Sequence, residues 1–194
     1  MADDDFPEVT GLVLAAGLGR RMGGPKAELV VDGERLMDRA VRLLEEAGCD
    51  PVIVVGQASF AYPEALVFHN EDPEDGLRSS LQIGVEAADG CGPGIVAVML
   101  VDQPGLTVEG TRSVVSAWRP GRVSVGTIEG RRVHPVVMAI DEWHEALSLA
   151  GPDEGARRFL ASHPDLVDEI EVPGVATDLD TPEDLRRFVE SRLP

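Results

Sequence analysis

A single three-layer α/β/α domain, with helices on both faces of a mostly parallel, Rossmann-like sheet, is the fold class this sequence predicts. Three observations carry the prediction. Residues 9–16 (VTGLVLAA), 51–55 (PVIVV) and 95–101 (IVAVMLV) are short unbroken apolar runs, as expected of strands buried on both faces. Segments of helical spacing separate these runs, and that alternation builds parallel strand–helix–strand units. Two later strand-like runs, residues 123–128 and 132–139, are divided only by Glu129-Gly130-Arg131, which adds a small hairpin to the sheet.

In chain order, residues 1–8 form an acidic tail and the domain proper runs from 9 to 194. The first strand, 9–16, ends in a glycine-rich loop. Leu36, Ala40, Val41, Leu43, Leu44 and Ala47 then recur at helical spacing, and Gly48 stops the helix. The second strand is 51–55, and 65–68 is a weaker third. Residues 74–88 hold a helix that begins near Ser79 or Ser80, with Leu81, Val85 and Ala88 on one face. The central strand 95–101 precedes a helix at 107–118. After the hairpin come helices at 142–149 and 155–162, a strand near Ile170, and a last helix with Thr181 as its N-cap and Pro182 in its first turn.

The 194 residues suit one domain with a sizeable core. With 35 Asp and Glu against 17 Lys and Arg, the net charge of −18 argues against nucleic acid and anionic membranes as partners. No apolar run approaches the ~20 residues that cross a bilayer. The acidic start lacks the basic region of an export signal, so a cytoplasmic location is expected. Cys49 and Cys91 stand apart without a CxxC pattern and read as reduced thiols. His69, His144 and His163 read as surface or packing residues.

A protein this acidic must build any phosphate site locally, and the loop after the first strand has the means. Gly17, Gly19, Gly23 and Gly24 let backbone amides approach a polyphosphate, while Arg20, Arg21 and Lys26 bring positive charge. A Walker A loop would need Gly-Lys-Ser/Thr, but Pro25 precedes Lys26 and Ala27 follows it. A dinucleotide fingerprint would need a different glycine spacing and an acid closing the second strand, which here ends at Gly56-Gln57.

The segment Leu14-Ala15-Ala16-Gly17 through Arg21-Met22-Gly23 to Lys26 instead resembles the signature of nucleotidyltransferases. Leu100-Val101-Asp102-Gln103-Pro104 and Gly76-Leu77-Arg78-Ser79-Ser80-Leu81 are similar to segments of the molybdenum cofactor cytidylyltransferase branch of the MobA-like NTP transferases. His134-Pro135, Pro152-Asp153-Glu154-Gly155-Ala156-Arg157 and Asp178-Leu179-Asp180-Thr181-Pro182 extend the likeness, although Val133 and Pro152 stand where that family has glycine. The resemblance spans residues 9–188 and implies a nucleotide-diphospho-sugar transferase fold.

It also implies a function: transfer of a nucleoside monophosphate, CMP from CTP favoured, to a phosphorylated acceptor such as molybdopterin, releasing pyrophosphate. Leu14, Ala15, Ala16, Gly17, Gly19, Gly23, Arg78, Ser79 and Ser80 would bind the nucleotide. Arg21, Lys26 and Asp102 would be catalytic, Asp102 and Asp180 would hold Mg2+, and His134 and Arg157 would face the acceptor. A phosphate nucleophile is already ionised, so the reaction needs positioning and charge neutralisation rather than a catalytic base. Implied partners are the triphosphate, the acceptor, and a molybdoenzyme or its chaperone, with the chain a monomer or weak dimer. Guanylyl transfer and transfer to another phosphorylated small molecule stay open within the class. Outside it, an oxidoreductase for a heterocyclic compound and a non-catalytic nucleotide-binding module are the alternatives.

Overall fold

A computed structural model describes residues 8–57 and 65–192, so most of the expected N-terminal tail lies outside the described residues. The strands are β1 (Val9–Leu14), β2 (Val30–Val31), β3 (Glu34–Arg35), β4 (Cys49–Gly56), β5 (Leu66–His69), β6 (Ile95–Leu100), β7 (Val123–Ile128), β8 (Arg131–Ala139) and β9 (Val167–Glu171). The helices are α1 (Leu36–Glu46), α2 (Leu77–Cys91), α3 (Val108–Ser116), α4 (Ile140–Leu149), α5 (Arg157–Ser162) and α6 (Pro182–Glu190).

Among the described residues, seven strands form one sheet in the order β5-β4-β1-β6-β8-β7-β9. Only β8 runs antiparallel to its neighbours. The expected hairpin is β7–β8, and it joins the main sheet through β8, which pairs Ala97 with Val137. Alternate residues of the inner strands serve opposite layers. Val13, Val54 and Met99 pack with α1 and α3, whereas Leu12, Ile53 and Val98 pack with α2, α4 and α5. Both faces of β1, β4 and β6 are therefore covered, which explains why those strands read as unbroken apolar runs.

Two local features differ from expectation. Helix α2 starts at Leu77 rather than at a serine cap. The carbonyl of Pro152 accepts from the Arg78 amide at 2.9 Å and satisfies one of the helix's first N–H groups, so the helix can begin earlier. Gly76, at φ +87°, permits this approach, since a Cβ there would lie 2.5 Å from the Pro152 oxygen. The second feature is the two-residue pair β2–β3, turned by Asp32 and Gly33, both at positive φ. Helix α6 matches its expectation, with Thr181 and Asp184 forming a reciprocal capping box.

The approach of α2 to β1 depends on Gly84. A Cβ there would fall 2.4 Å from a methyl of Leu12, which is fully buried. Gly84→Val is expected to destabilise the protein by about 1–3 kcal/mol through overpacking. Urea unfolding with an unchanged midpoint would contradict this packing.

Candidate nucleotidyl-transfer site

The site lies at the carboxyl edge of the parallel strands, where open α/β sheets bind ligands. Beyond Leu14 the chain stays tied to the sheet, with the Ala15 amide donating to Val55 O at 2.8 Å and the Gln57 side chain to Ala16 O at 3.3 Å. Leu14, Ala15 and Ala16 are buried beneath the loop, and Gly17 and Gly23 are exposed. The loop then folds on itself as the amides of Met22 and Gly24 donate to Gly19 O. Gly19 is required by this turn, because its φ is +57° and a Cβ would meet Gly24 O at 1.9 Å. A Cβ on Gly17 or Gly23 would meet nothing within 4 Å, which leaves room for an approaching ligand.

Lys26 is where three distant segments meet. Its Nζ donates to Asp102 Oδ2 at 3.0 Å and to Asp180 Oδ1 at 2.7 Å. Asp102 follows β6, and the chain before α6 is tied to it by the Leu179 amide, which donates to Asp102 O at 2.9 Å. Arg21 adds a guanidinium 3.7 Å from Asp180, and Arg20 pairs with Glu74 ahead of α2. Burial pulls the Lys26 pKa down, but the Asp102 charge and the two carboxylate hydrogen bonds outweigh it. The net shift is upward, so Lys26 is an ammonium at neutral pH.

A cavity of about 410 Å³ opens beside this cluster, lined by Asp102, Asp180, His134 and Arg157 over an apolar floor that includes Leu81 and Trp143. Burial lowers the pKa of His134, so its imidazole is neutral at pH 7. Its Nδ1 lies 3.1 Å from the Val98 carbonyl and must donate to it, which makes Nε2 the acceptor. The cavity thus joins residues expected on the triphosphate side to residues expected on the acceptor side.

The segment Arg78-Ser79-Ser80 is engaged differently. Arg78 Nε donates to Leu147 O at 3.1 Å, and the Asn70 side chain donates to both serine hydroxyls at 2.9 Å. Ser79 donates in turn to Gly76 O, so both serines secure the start of α2 to the end of β5. Asn70 was not singled out by the sequence reading, and Gln103 entered it only within the Leu100–Pro104 segment, without a role. Gln103 adjoins Asp102, a positional signal that could have marked it. Asn70 carries no motif, and only the fold brings it to the serines. Elsewhere, His163 stacks on Phe159, and the buried thiol of Cys49 is free and pushed up to about 12 by burial.

Asp102 and Asp180 bring hard oxygen donors together at the Lys26 ammonium, and a carboxylate pair of this kind fits a divalent cation of the magnesium type. Among the described residues no group of three or more His, Cys, Asp or Glu gathers to hold a metal. Two protein carboxylates completed by phosphate oxygens and water are the usual arrangement for magnesium with a nucleotide.

The sheet, the glycine loop and the acid-held lysine are those of a nucleotidyltransferase, and comparison with known proteins agrees. The chain belongs to the MobA-like NTP transferase family, whose model matches residues 11–167. Nicotine blue oxidoreductase of Paenarthrobacter nicotinovorans is 37% identical, over 97% of this chain and 100% of that protein. Purine catabolism protein PucB of Bacillus subtilis is 30% identical, over 92% and 94%. A probable molybdenum cofactor guanylyltransferase of Opitutus terrae is 35% identical, over 60% and 59%. Among solved structures, Rv0371c from Mycobacterium tuberculosis superposes at TM-score 0.80 and 25% identity, covering 95% of this chain and 99% of that one. A complex of Rv0371c with manganese superposes at 0.76 and 26% identity, with the same coverage.

Proposed function

We propose that the enzyme transfers CMP from CTP to a phosphorylated acceptor of the molybdopterin type, with Mg2+ as the resident cation. The observation that carries this reading is the Lys26 ammonium between Asp102 and Asp180, at the edge of the cavity containing His134 and Arg157. Gly17, Gly19 and Gly23 cradle the triphosphate, and Arg21 and Lys26 neutralise the charge that grows as pyrophosphate departs. Asp102 and Asp180 would hold the cation, which would supply electrophilic stabilisation at the α-phosphate. Arg157 orients the acceptor's phosphate for in-line attack, and neutral His134 accepts a hydrogen bond from its body. The direct test is pyrophosphate release from each of the four ribonucleoside triphosphates, with molybdopterin as acceptor, with and without magnesium.

CTP and GTP share a triphosphate, so the choice between them rests on groups beside the base. By resemblance Ala16 and Arg78-Ser79-Ser80 favour CTP. Ala16 is buried beneath the glycine loop and both serines are bonded to Asn70, so they act on the choice of base by shaping the loop and the start of α2 around it. A wrong base that leaves a buried polar group unpaired costs about 1–3 kcal/mol. CTP is therefore expected to be used at least about tenfold better than GTP, and Ala16→Gly to narrow that gap. Competition between the two triphosphates decides it, and a GTP preference would assign the chain to guanylyl transfer.

One observation favours a second reading. Nicotine blue oxidoreductase matches along nearly the whole chain, so an oxidoreductase acting on a heterocycle is the alternative. Against it, β4 ends at Gly56 without the acid that would hold a dinucleotide ribose. A rise in melting temperature with NADH or NADPH, and none with any triphosphate, would favour the redox reading. A saturating ligand at a hundred times its dissociation constant stabilises by about 2.7 kcal/mol, which such a screen detects.

A further inference from the structure

Gln103 joins the two halves of the site. Its Nε2 donates to Asp178 Oδ1 at 2.8 Å, and its Oε1 accepts from the His134 backbone amide at 2.9 Å. Asp178 stands two residues before Asp180, and the amide of intervening Leu179 is bonded to Asp102 O. The segment 178–180 is held by the Leu179 amide on the Asp102 backbone, by Gln103 and Arg131 on the Asp178 carboxylate, at 2.8 and 3.5 Å, and by the Asp180 amide on Asp184 at 3.3 Å. The Gln103 bond is the shorter of the two on Asp178, and it limits how far Asp180 can swing from Lys26 and Asp102. The carboxamide is suited to the task, since it donates to a carboxylate from one end and accepts a backbone N–H at the other. Neither glutamate nor leucine can do both.

We infer that Gln103 is a positioning residue that sets the Asp178–Asp180 segment and the His134 wall in register with Asp102. The inference rests on the nucleotidyl-transfer reading only in taking Asp102 and Asp180 as cation ligands. Partners that orient ligands in this way typically change metal affinity by about ten- to a hundredfold when removed. Gln103→Leu removes both hydrogen bonds. Gln103→Glu keeps the acceptor for His134 but sets a carboxylate against Asp178.

The experiment measures Mn2+ binding to the full chain by electron paramagnetic resonance, together with amide hydrogen exchange at His134 and Leu179 by NMR. Mn2+ alone is the probe. Gln103→Leu is expected to weaken Mn2+ at least about tenfold and to speed exchange at both amides. Gln103→Glu should speed exchange at Leu179 and leave His134 protected. Asp180→Ala serves as the reference. If Asp180→Ala weakens Mn2+ while folded Gln103→Leu does not, the role of Gln103 is structural and the inference is overturned. If neither change affects Mn2+, the cation reading of Asp102 and Asp180 fails instead, and the exchange pattern alone decides Gln103: unchanged protection at both amides in Gln103→Leu overturns its positioning role.

Discussion

Lys26→Ala is expected to lower nucleotidyl transfer at least about a hundredfold, the scale of losing one aimed charge contact in a site that works by electrostatics. Lys26 reaches two carboxylates from different segments, Asp102 at 3.0 Å and Asp180 at 2.7 Å, and its side chain is only 19% exposed. It is thus a rigidly aimed cation rather than a surface lysine, and the protein's −18 charge offers no diffuse substitute. Its loss also removes the counter-charge that the two carboxylates share and leaves Asp180 to the Arg21 guanidinium at 3.7 Å, a state that binding a cation relieves. The variant should therefore bind Mn2+ more tightly than the parent while turning over far more slowly. Turnover within a few-fold of the parent would remove Lys26 from the mechanism.

Asp102→Asn should give the opposite signature. Asparagine matches aspartate in shape and can still accept from the Lys26 ammonium, so folding is expected to survive, with a melting temperature close to the parent's. The neutral amide oxygen is a poor ligand for a hard cation, so magnesium-dependent transfer should be lost at limiting metal and only partly regained at high metal. Asp102 sits just past β6, whose residues 96–99 are buried within the sheet, and its carbonyl is bonded to Leu179. Relaxation of the backbone cannot bring another acid into its place without breaking those bonds. Metal titration of initial rates in parent and variant makes the comparison, and normal activity at limiting magnesium would refute the assignment.

Much of this protein was legible in the sequence alone, for physical reasons. The apolar runs of β1, β4 and β6 announce strands covered on both faces, because only burial on both sides removes the polar alternation. The glycine-rich loop with Arg21 and Lys26 is a contiguous segment, so its chemistry can be read from neighbouring residues. Thr181 and Pro182 define the start of α6 because a cap depends on only a few consecutive residues. What the sequence could not show is how separated segments meet. Lys26, Asp102 and Asp180 become one cluster only because the sheet sets β1 beside β6 and the Leu179 amide ties the last segment to Asp102. Likewise, Ser79 and Ser80 were legible as polar residues near a helix start. Their attachment to Asn70, and the earlier start that Pro152 makes possible, depend on contacts between separate stretches of chain. The sequence by itself determined the layers, the loop and the types of charge, since these follow from local pattern and burial. The tertiary structure alone decided which charges face one another, because hydrogen bonds such as those of Gln103 exist only once distant segments are brought within about 3 Å.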